Sequence, residues 1–440
     1  MKSQTLLLVL FSLSALISCK KSTDFEKPNV VLIMVDDMGY ECLNTYEETH
    51  YKTPALNELA KNAIQFSNCH SQPLCTPSRV RIMTGQNNYD NYTHFGRLNN
   101  NEYTFGNLMK DAGYETLIAG KWQLNGLAYK DSFPDWNNVK RPNDFGFDEH
   151  CLWQLTKARK EGERFANPKI QQNGELLKRD KNAYGPDIFS NYILDFIERK
   201  KDNPFFVYYP MVLVHEPFVP TPDSKEWADS EKRYKKDTTY FKDMVAYTDK
   251  IVGKIIDQLK KANVYDNTIL IFTGDNGTHP TIYTHAKNKV IRGGKGKTIS
   301  TGTHVPLLAS WPKHTTKGSI NDGLITFSDF FASLKDVVNS NVETQGKSFI
   351  PLLKGEPYTQ RETAFIHYDP RWGHLSKFKN QFAFTEEYKL YRNGRFYNVK
   401  NDVLEKRPLT QDSLTLVERK IRNSLAKELE KHPLPNFSKN

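Results

Sequence analysis

The segment Val30-Val-Leu-Ile-Met-Val35 runs without a polar interruption straight into Asp36-Asp37. A short apolar run rich in β-branched residues suits a strand buried on both faces, and the abrupt change to carboxylates marks its end. Four further runs repeat the pattern and abut polar or glycine-rich residues: Thr116 to Ala119, Phe205 to Tyr209, Thr268 to Phe272 and Val305 to Ala309. Helical patterns lie between them. Thr53 can cap a helix that starts at Pro54 and sets Leu56, Leu59, Ala60, Ala63 and Ile64 on one stripe, and the segments Ile188 to Ile197 and Phe241 to Leu259 are amphipathic. Strands alternating with helices predict an α/β fold whose large, mixed but mostly parallel sheet is sandwiched by helices.

In such sheets a ligand sits beyond the carboxyl ends of the strands. The residues expected to converge there are Asp36-Asp37, Gly120-Lys121, His215, Asp275-Asn276 and the loop leading up to Val305. The composition changes near Thr344 to Lys347, and short strands follow at Phe365 to His367, Gln381 to Thr385, Lys389 to Tyr391 and Arg395 to Val399. Arg392-Asn-Gly-Arg395 reads as a hairpin turn, and a final helix is expected over Thr415 to Lys431. The expected division is a main domain over residues 28–343 and a small C-terminal antiparallel-sheet subdomain over 344–440.

With 440 residues, 38% of them hydrophobic, the chain can bury a sizeable core, which excludes general disorder. The formal net charge of +10 favours polyanionic partners. Its basic residues are scattered and accompany no nucleic-acid-binding motif, so nucleic acid is not the expected partner. At the amino terminus, Lys2 precedes the apolar Leu6 to Phe11 and then Leu16-Ile-Ser-Cys19, a lipobox-like export signal. Residues 1–18 are expected to be removed and Cys19 lipidated. Residues 19–27 would then tether the protein to a bacterial membrane, on the periplasmic side or at the cell surface. Of the remaining cysteines, Cys42, Cys69 and Cys151 allow at most one disulfide, and Cys75 has its own context.

That context is Ser71-Gln-Pro-Leu-Cys75-Thr-Pro-Ser-Arg79. Thr76 is the expected N-cap and Pro77 the first residue of a helix over Pro77 to Met83 closed by Gly85, which would set position 75 at the positive end of a helix dipole. Asp36-Asp37 and Asp275-Asn276-Gly277 supply hard oxygen donors with no histidine or cysteine among them, a set suited to calcium or magnesium rather than zinc.

Cys75-Thr-Pro-Ser-Arg79 matches every fixed position of the Cys-x-Pro-Ser-Arg signature of the type I, formylglycine-dependent sulfatases of the alkaline phosphatase superfamily. Gly120-Lys-Trp122 and Arg292-Gly-Gly-Lys295-Gly resemble two more segments of that family, and Tyr388 to Leu409 resembles its usual ending. The resemblance implies an alkaline phosphatase-like fold and a cysteine at 75 oxidised to formylglycine by a sulfatase-maturating enzyme. It implies one Ca2+ ion, with Mg2+ the second choice, held by Asp36, Asp37, Asp275, Asn276 and residue 75. Lys121 and Lys295 would grip the sulfate, Arg79 would support the hydrated aldehyde, and His215 would protonate the leaving oxygen. One hydroxyl of that aldehyde would attack sulfur and the other would later lose its proton to eject sulfate.

Two positions depart from the family. Gln123 stands where a histidine usually follows Gly-Lys-Trp, and an amide cannot take up the proton that such a histidine accepts; His279 is the candidate replacement. Ser300-Thr301 with His304 replaces an acidic residue, a glycine and an arginine, which leaves the shape of that loop open. A sulfated carbohydrate is the expected substrate, with His150-Cys-Leu-Trp153-Gln154 and His367-Tyr-Asp-Pro-Arg371-Trp372 as recognition segments, contributing Trp153, Gln154, His367, Arg371 and Trp372, joined by His279. Two alternatives accompany this reading: a phosphate or phosphonate ester hydrolase of the same superfamily, and a non-catalytic glycan-binding lipoprotein on the same fold.

Overall fold

The structure, a computed structural model, describes residues 27–161, 163–315 and 317–432. The export signal and Cys19 lie outside them. In chain order the strands are β1 (Asn29–Val35), β2 (Ile64–His70), β3 (Glu115–Lys121), β4 (Glu149–Trp153), β5 (Ile170–Gln172), β6 (Glu175–Leu176), β7 (Phe205–Pro210), β8 (Thr268–Gly274), β9 (Tyr283–Ala286) and β10 (Lys289–Arg292). They continue with β11 (His304–Val305), β12 (Leu307–Ser310), β13 (Ser319–Thr326), β14 (Ala364–Tyr368), β15 (Asn380–Phe384), β16 (Tyr388–Tyr391) and β17 (Phe396–Asn398).

The main sheet has the order β11-β2-β12-β8-β1-β7-β3-β4-β5-β6, with β13 added beside β2. Its centre, β8-β1-β7-β3-β4, is parallel throughout. The pleat explains the unbroken apolar run of β1. Val31, Ile33 and Val35 enter one core layer, beneath the helices Gly185–Lys200 and Phe241–Lys261, while Val30, Leu32 and Met34 enter the opposite layer, with the helices Cys75–Thr84, Phe105–Asp111 and Ser328–Val337.

Val305 to Ala309 is not one parallel strand. Pro306 has no N–H to contribute to a ladder, so the run divides into β11 and β12, which pair antiparallel with β2 and β8. The fifth parallel strand is β4, whose opening Glu149-His150 hides it from a search for apolar runs. Thr53 precedes the helix Pro54–Ala60 as expected, yet its hydroxyl caps nothing and donates to Asn57 Oδ1. The open helix N–H groups are met by Asp249 of the neighbouring long helix, whose carboxylate accepts from the amides of Ala55 (3.0 Å) and Leu56 (2.8 Å).

Strands β14 to β17 form a separate antiparallel sheet with the hairpin turn at Gly394, whose φ is 87°. One face of it, with Ile366, Tyr368, Phe382 and Tyr391, packs against Leu74 and Cys75. The other face receives Leu425 and Leu429 of the helix Leu416–Glu430, which opens with a capping box between Thr415 and Glu418. Cys42, Cys69, Cys75 and Cys151 are all free and buried, so no disulfide forms among them. No helix of the described residues is long and apolar enough to cross a membrane.

Asp249→Ala strands two backbone donors at the start of the Pro54–Ala60 helix and should lower stability by about 2 kcal/mol. Asp249→Asn, which keeps one acceptor oxygen, should lose about half of that. Urea unfolding midpoints of the three proteins check the ranking.

Candidate active site

Strand β2 delivers the chain to Cys75. The helix there spans Cys75–Thr84 with Leu74 as N-cap, so it begins two residues before the expected start at Pro77, and Gly85 closes it in the left-handed conformation (φ 70°). Thr76 is therefore inside the helix, where its hydroxyl accepts from the amide of Gly96 (3.2 Å). Cys75 sits in the first turn, at the amide-rich end of a ten-residue helix. Its side chain is 3% exposed, and burial pushes the thiol pKa up despite Lys121 and Lys295 nearby. As a thiol it is a weak nucleophile at neutral pH.

Lys121 ends β3. The preceding Gly120 has a φ of 122°, and a Cβ there would stand 2.0 Å from the carbonyl oxygen of Pro210, so only glycine fits. From this position Lys121 donates to Asp36 Oδ2 at 2.7 Å, with both side chains buried. Arg79 is buried, and its Nε has no hydrogen-bond partner among the described residues. Its terminal nitrogens donate to the carbonyls of Lys121 (2.7 Å) and Trp122, which ties the Cys75 helix to the end of β3.

Asp36 and Asp37 follow β1, and Asp275 and Asn276 follow its parallel neighbour β8. Asp37 N donates to Asp275 Oδ1 (2.9 Å) and Asn276 Nδ2 donates to Asp37 Oδ1 (2.9 Å). Lys295 donates to Asp37 Oδ2 at 2.6 Å. The loop after β7 is stitched to β1 by Asp36 N to Leu213 O (2.8 Å) and Val214 N to Asp36 O (2.7 Å). This brings His215 Nε2 to 3.8 Å from Asp37 Oδ2. His215 Nδ1 donates to the carbonyl of Glu216 (2.7 Å), leaving Nε2 as the free face. Burial, followed by Lys295, Arg164 and Lys121, holds the His215 pKa well below the usual imidazole range.

The donor set fits a hard divalent cation. Potential ligand atoms of Asp36, Cys75 and Asp275 all lie within 4.8 Å of one another, as do those of Asp36, Asp37 and His215. Asp36 Oδ1 and Asn276 Oδ1 are buried without a hydrogen-bond partner. Burial, then Asp36, raises the Asp275 pKa well above the usual carboxylate range. Crowded carboxylates and orphaned oxygens are what an oxygen-ligated cation relieves. Asp36, Asp37, Asp275 and Asn276 would hold it, with residue 75 beside them.

The other expected site residues are held by contacts outside the carboxylate cluster. Gln123 has a φ of 48° and lies beside Gln154, to whose carbonyl its amide donates (3.2 Å). His279 is on a different flank, three strand positions away in the sheet, with Nδ1 against Thr281 (2.8 Å) and Nε2 3.7 Å from Glu216. It is not beside Gln123 along the sheet. Trp153 and Gln154 are buried, and the Trp153 ring is covered by Arg164. His367 is also buried, its Nδ1 against Gln381 (3.0 Å), and offers no face to a sugar. Trp153 ends β4 and His367 lies on β14, strands buried on both faces, which makes core of what a motif reading takes for surface. Trp372 does reach solvent, stacked flat on Phe95 with ring centres 4.7 Å apart. Arg371 adjoins it with Nε 3.5 Å from Asp369. The loop holding Ser300, Thr301 and His304 is held by local packing. It forms the short helix Ser300–Thr303, and His304 stacks on Tyr40 (4.0 Å) while its Nε2 donates to Ser67 O (2.8 Å).

Residues 28–340 match the family model described as Sulfatase. The chain belongs to the sulfatase family. Residues 298–432 of this sulfatase also match the model for the C-terminal region of N-sulphoglucosamine sulphohydrolase. It is 29% identical over 342 residues to the N-acetylgalactosamine-6-sulfatase of Homo sapiens, an alignment covering 70% of this chain and 61% of that one. It is 27% identical over 411 residues to the N-acetylgalactosamine-6-O-sulfatase of Bacteroides thetaiotaomicron, covering 77% and 78%. Among solved structures, one described as a 6S-sulfatase of glycosaminoglycan metabolism in Bacteroides thetaiotaomicron superposes with a TM-score of 0.74 at 21% identity, covering 92% of this chain and 99% of that one. At that identity the likeness concerns the fold.

A saturating divalent cation should raise the thermal midpoint of this sulfatase. Saturation at a hundredfold excess over the dissociation constant corresponds to about 2.7 kcal/mol of added stability. Asp275→Asn should abolish the shift and EDTA should reverse it; thermal unfolding with CaCl2 and MgCl2 in turn checks this.

Proposed function

We propose that this chain removes sulfate from a sulfated carbohydrate, using a formylglycine made from Cys75 by a maturating enzyme and one divalent cation. The observation that carries this reading is Cys75 itself, buried in the first turn of its helix within the complete Cys-Thr-Pro-Ser-Arg signature and against Asp36 and Asp275. Ca2+ is the proposed ion, with Mg2+ second, because every protein ligand offers oxygen and the set includes no histidine at Asp275-Asn276.

The hydrated aldehyde would supply the attacking hydroxyl, and the cation would draw charge from the sulfate oxygens. The chain's own groups do the rest. Lys121 and Lys295, each already paired with a carboxylate at the cluster, present fixed positive charge to the sulfate with little reorganisation. Arg79 holds Lys121 and the Cys75 helix in register through the strand-end carbonyls. His215 presents Nε2 on the cluster side, and an arriving sulfate would favour its protonated form, from which the departing alcohol oxygen can take a proton. Gln123 would position a hydroxyl by hydrogen bonding, since its amide cannot carry a proton away.

A phosphate or phosphonate ester hydrolase is the second reading within the superfamily. The nucleophile position argues against it, because a buried thiol in a maturation signature replaces serine or threonine. Export through the amino-terminal signal, lipidation at Cys19 and a periplasmic or cell-surface position belong to the same proposal. The main domain would be residues 28–343 and the C-terminal subdomain 344–440. β1 starts at the face opposite the cluster, so a tether ending at residue 27 would turn the site away from the lipid.

Protein matured in a competent host should show the mass of formylglycine in the peptide bearing position 75. Its desulfation of sulfated sugars should fall by at least 10³-fold in Cys75→Ala, in the range expected for loss of a nucleophile. Retained activity with an intact thiol would reject the reading, and phosphate release would favour the rival ester. Gln123→His should leave kcat unchanged or raise it by up to about 10²-fold, the lower end for a restored general base; steady-state kinetics on the same substrate decides.

A further inference from the structure

Arg164 lies in the excursion between β4 and β5, within the charged run Lys157-Ala-Arg159-Lys160-Glu-Gly-Glu163-Arg164, where it looks like solvated surface. It is 3% exposed. Its guanidinium is 4.2 Å from the centre of the Trp153 ring, and Nη1 stands 3.8 Å from Asp36 Oδ2. That oxygen is already committed to Lys121 at 2.7 Å. Nη1 is buried and has no hydrogen-bond partner among the described residues. A buried arginine with an unmet donor is costly unless an anion completes it.

The space to complete it is present. Arg164 and Trp153 line a groove of about 550 Å³ together with Pro217 and Val219, in the loop that carries His215. Exposed Arg159, Lys160 and Lys236 stand on its rim against Glu163. The groove therefore adjoins the Lys121–His215 side of the sulfate-binding cluster, and Arg164 is one of the charges acting on His215. The Trp153 ring beneath the guanidinium holds its plane, and a planar fork suits two oxygens of one anion.

We propose that this groove is a second anion subsite in which Arg164 binds a negatively charged substituent of the substrate next to the sulfate that is cleaved. This rests on the sulfatase reading and narrows it: the substrate is an oligosaccharide with at least two anionic groups close together, the second a carboxylate or another sulfate. Arg164 is a specificity residue for that second group, and the rim cations steer the polyanion in.

The test compares matured protein on a sulfated disaccharide with a neutral neighbouring sugar, the same sulfated sugar beside a uronate, and a disulfated disaccharide without uronate. The wild type should favour at least one doubly anionic substrate by about 10- to 100-fold in kcat/KM, mostly through KM, the range for one charge-assisted bidentate contact. Arg164→Gln should reduce that ratio at least tenfold, and Arg164→Lys should recover part of it. Preference for the uronate or for the second sulfate identifies the anion. Equal use of neutral and doubly anionic substrates by the wild type, or a ratio unchanged in Arg164→Gln, overturns the subsite. A binding arm separates its failure from that of the sulfatase reading. In Cys75→Ala, calorimetry should show tighter binding of the doubly anionic disaccharide than of the singly sulfated one, with the difference lost in the Cys75→Ala, Arg164→Gln double variant; no difference in the first protein also overturns the proposal. Absence of desulfation by matured wild type would reject the parent reading instead.

Discussion

Buried charge balance at the ends of β1 and β8 governs this molecule. Three carboxylates, Asp36, Asp37 and Asp275, are packed with Asn276 at the top of the sheet, each almost wholly buried. Such a group is sustained only by paired cations and satisfied hydrogen bonds. Lys121 and Lys295 answer Asp36 and Asp37, and Arg164 stands behind Asp36. The oxygens that remain unmet fit a bound cation. Everything else in the fold brings these chains, which come from strands and loops far apart in sequence, to within hydrogen-bonding distance.

The surrounding scaffold acts on that cluster through backbone. Gly120 lets β3 approach Pro210 closely enough for Lys121 to reach across β7 to Asp36. Arg79 spends its terminal donors on strand-end carbonyls, so it serves as a brace between the Cys75 helix and the end of β3. The C-terminal sheet is also part of the brace. Tyr368 donates to Gly296 O (3.2 Å) and Lys389 to Thr298 O (2.8 Å), which clamps the loop holding Lys295. Its apolar face then walls Cys75. A helix with a buried first turn, a clamped lysine loop and a neutral histidine with one free face together make a site whose charges are fixed before a ligand arrives.

Much of this was legible in the chain. Asp36-Asp37 and Asp275-Asn276 stand directly after apolar runs that could only be buried strands, and parallel strands end on one side. Cys75, Lys121 and Lys295 lie in short segments whose glycines and prolines are required by local backbone geometry, so the pattern survives in sequence. Less visible were features whose cause is remote. Val305 to Ala309 reads as one strand until Pro306 is matched against a partner ladder. Thr53 reads as a cap, but Asp249, nearly two hundred positions away, supplies the acceptor. His367 reads as a sugar contact because of its type, and burial on β14 overrides type.

By itself the order of residues determined the class of fold, the strand-end positions of the acidic pairs, and the identity of the cysteine, lysines and histidine that gather there. The fold class and the acidic pairs follow from hydrophobic period and from local backbone demands, which act over a few residues, whereas Cys75 and Lys295 were marked by resemblance to family segments. Only the folded chain decided which oxygens are left without partners, which way the edge strands run, that Arg79 braces and that Arg164 is inside. Those depend on which distant groups share a space too dry to leave charge unanswered, and no spacing along the chain encodes that.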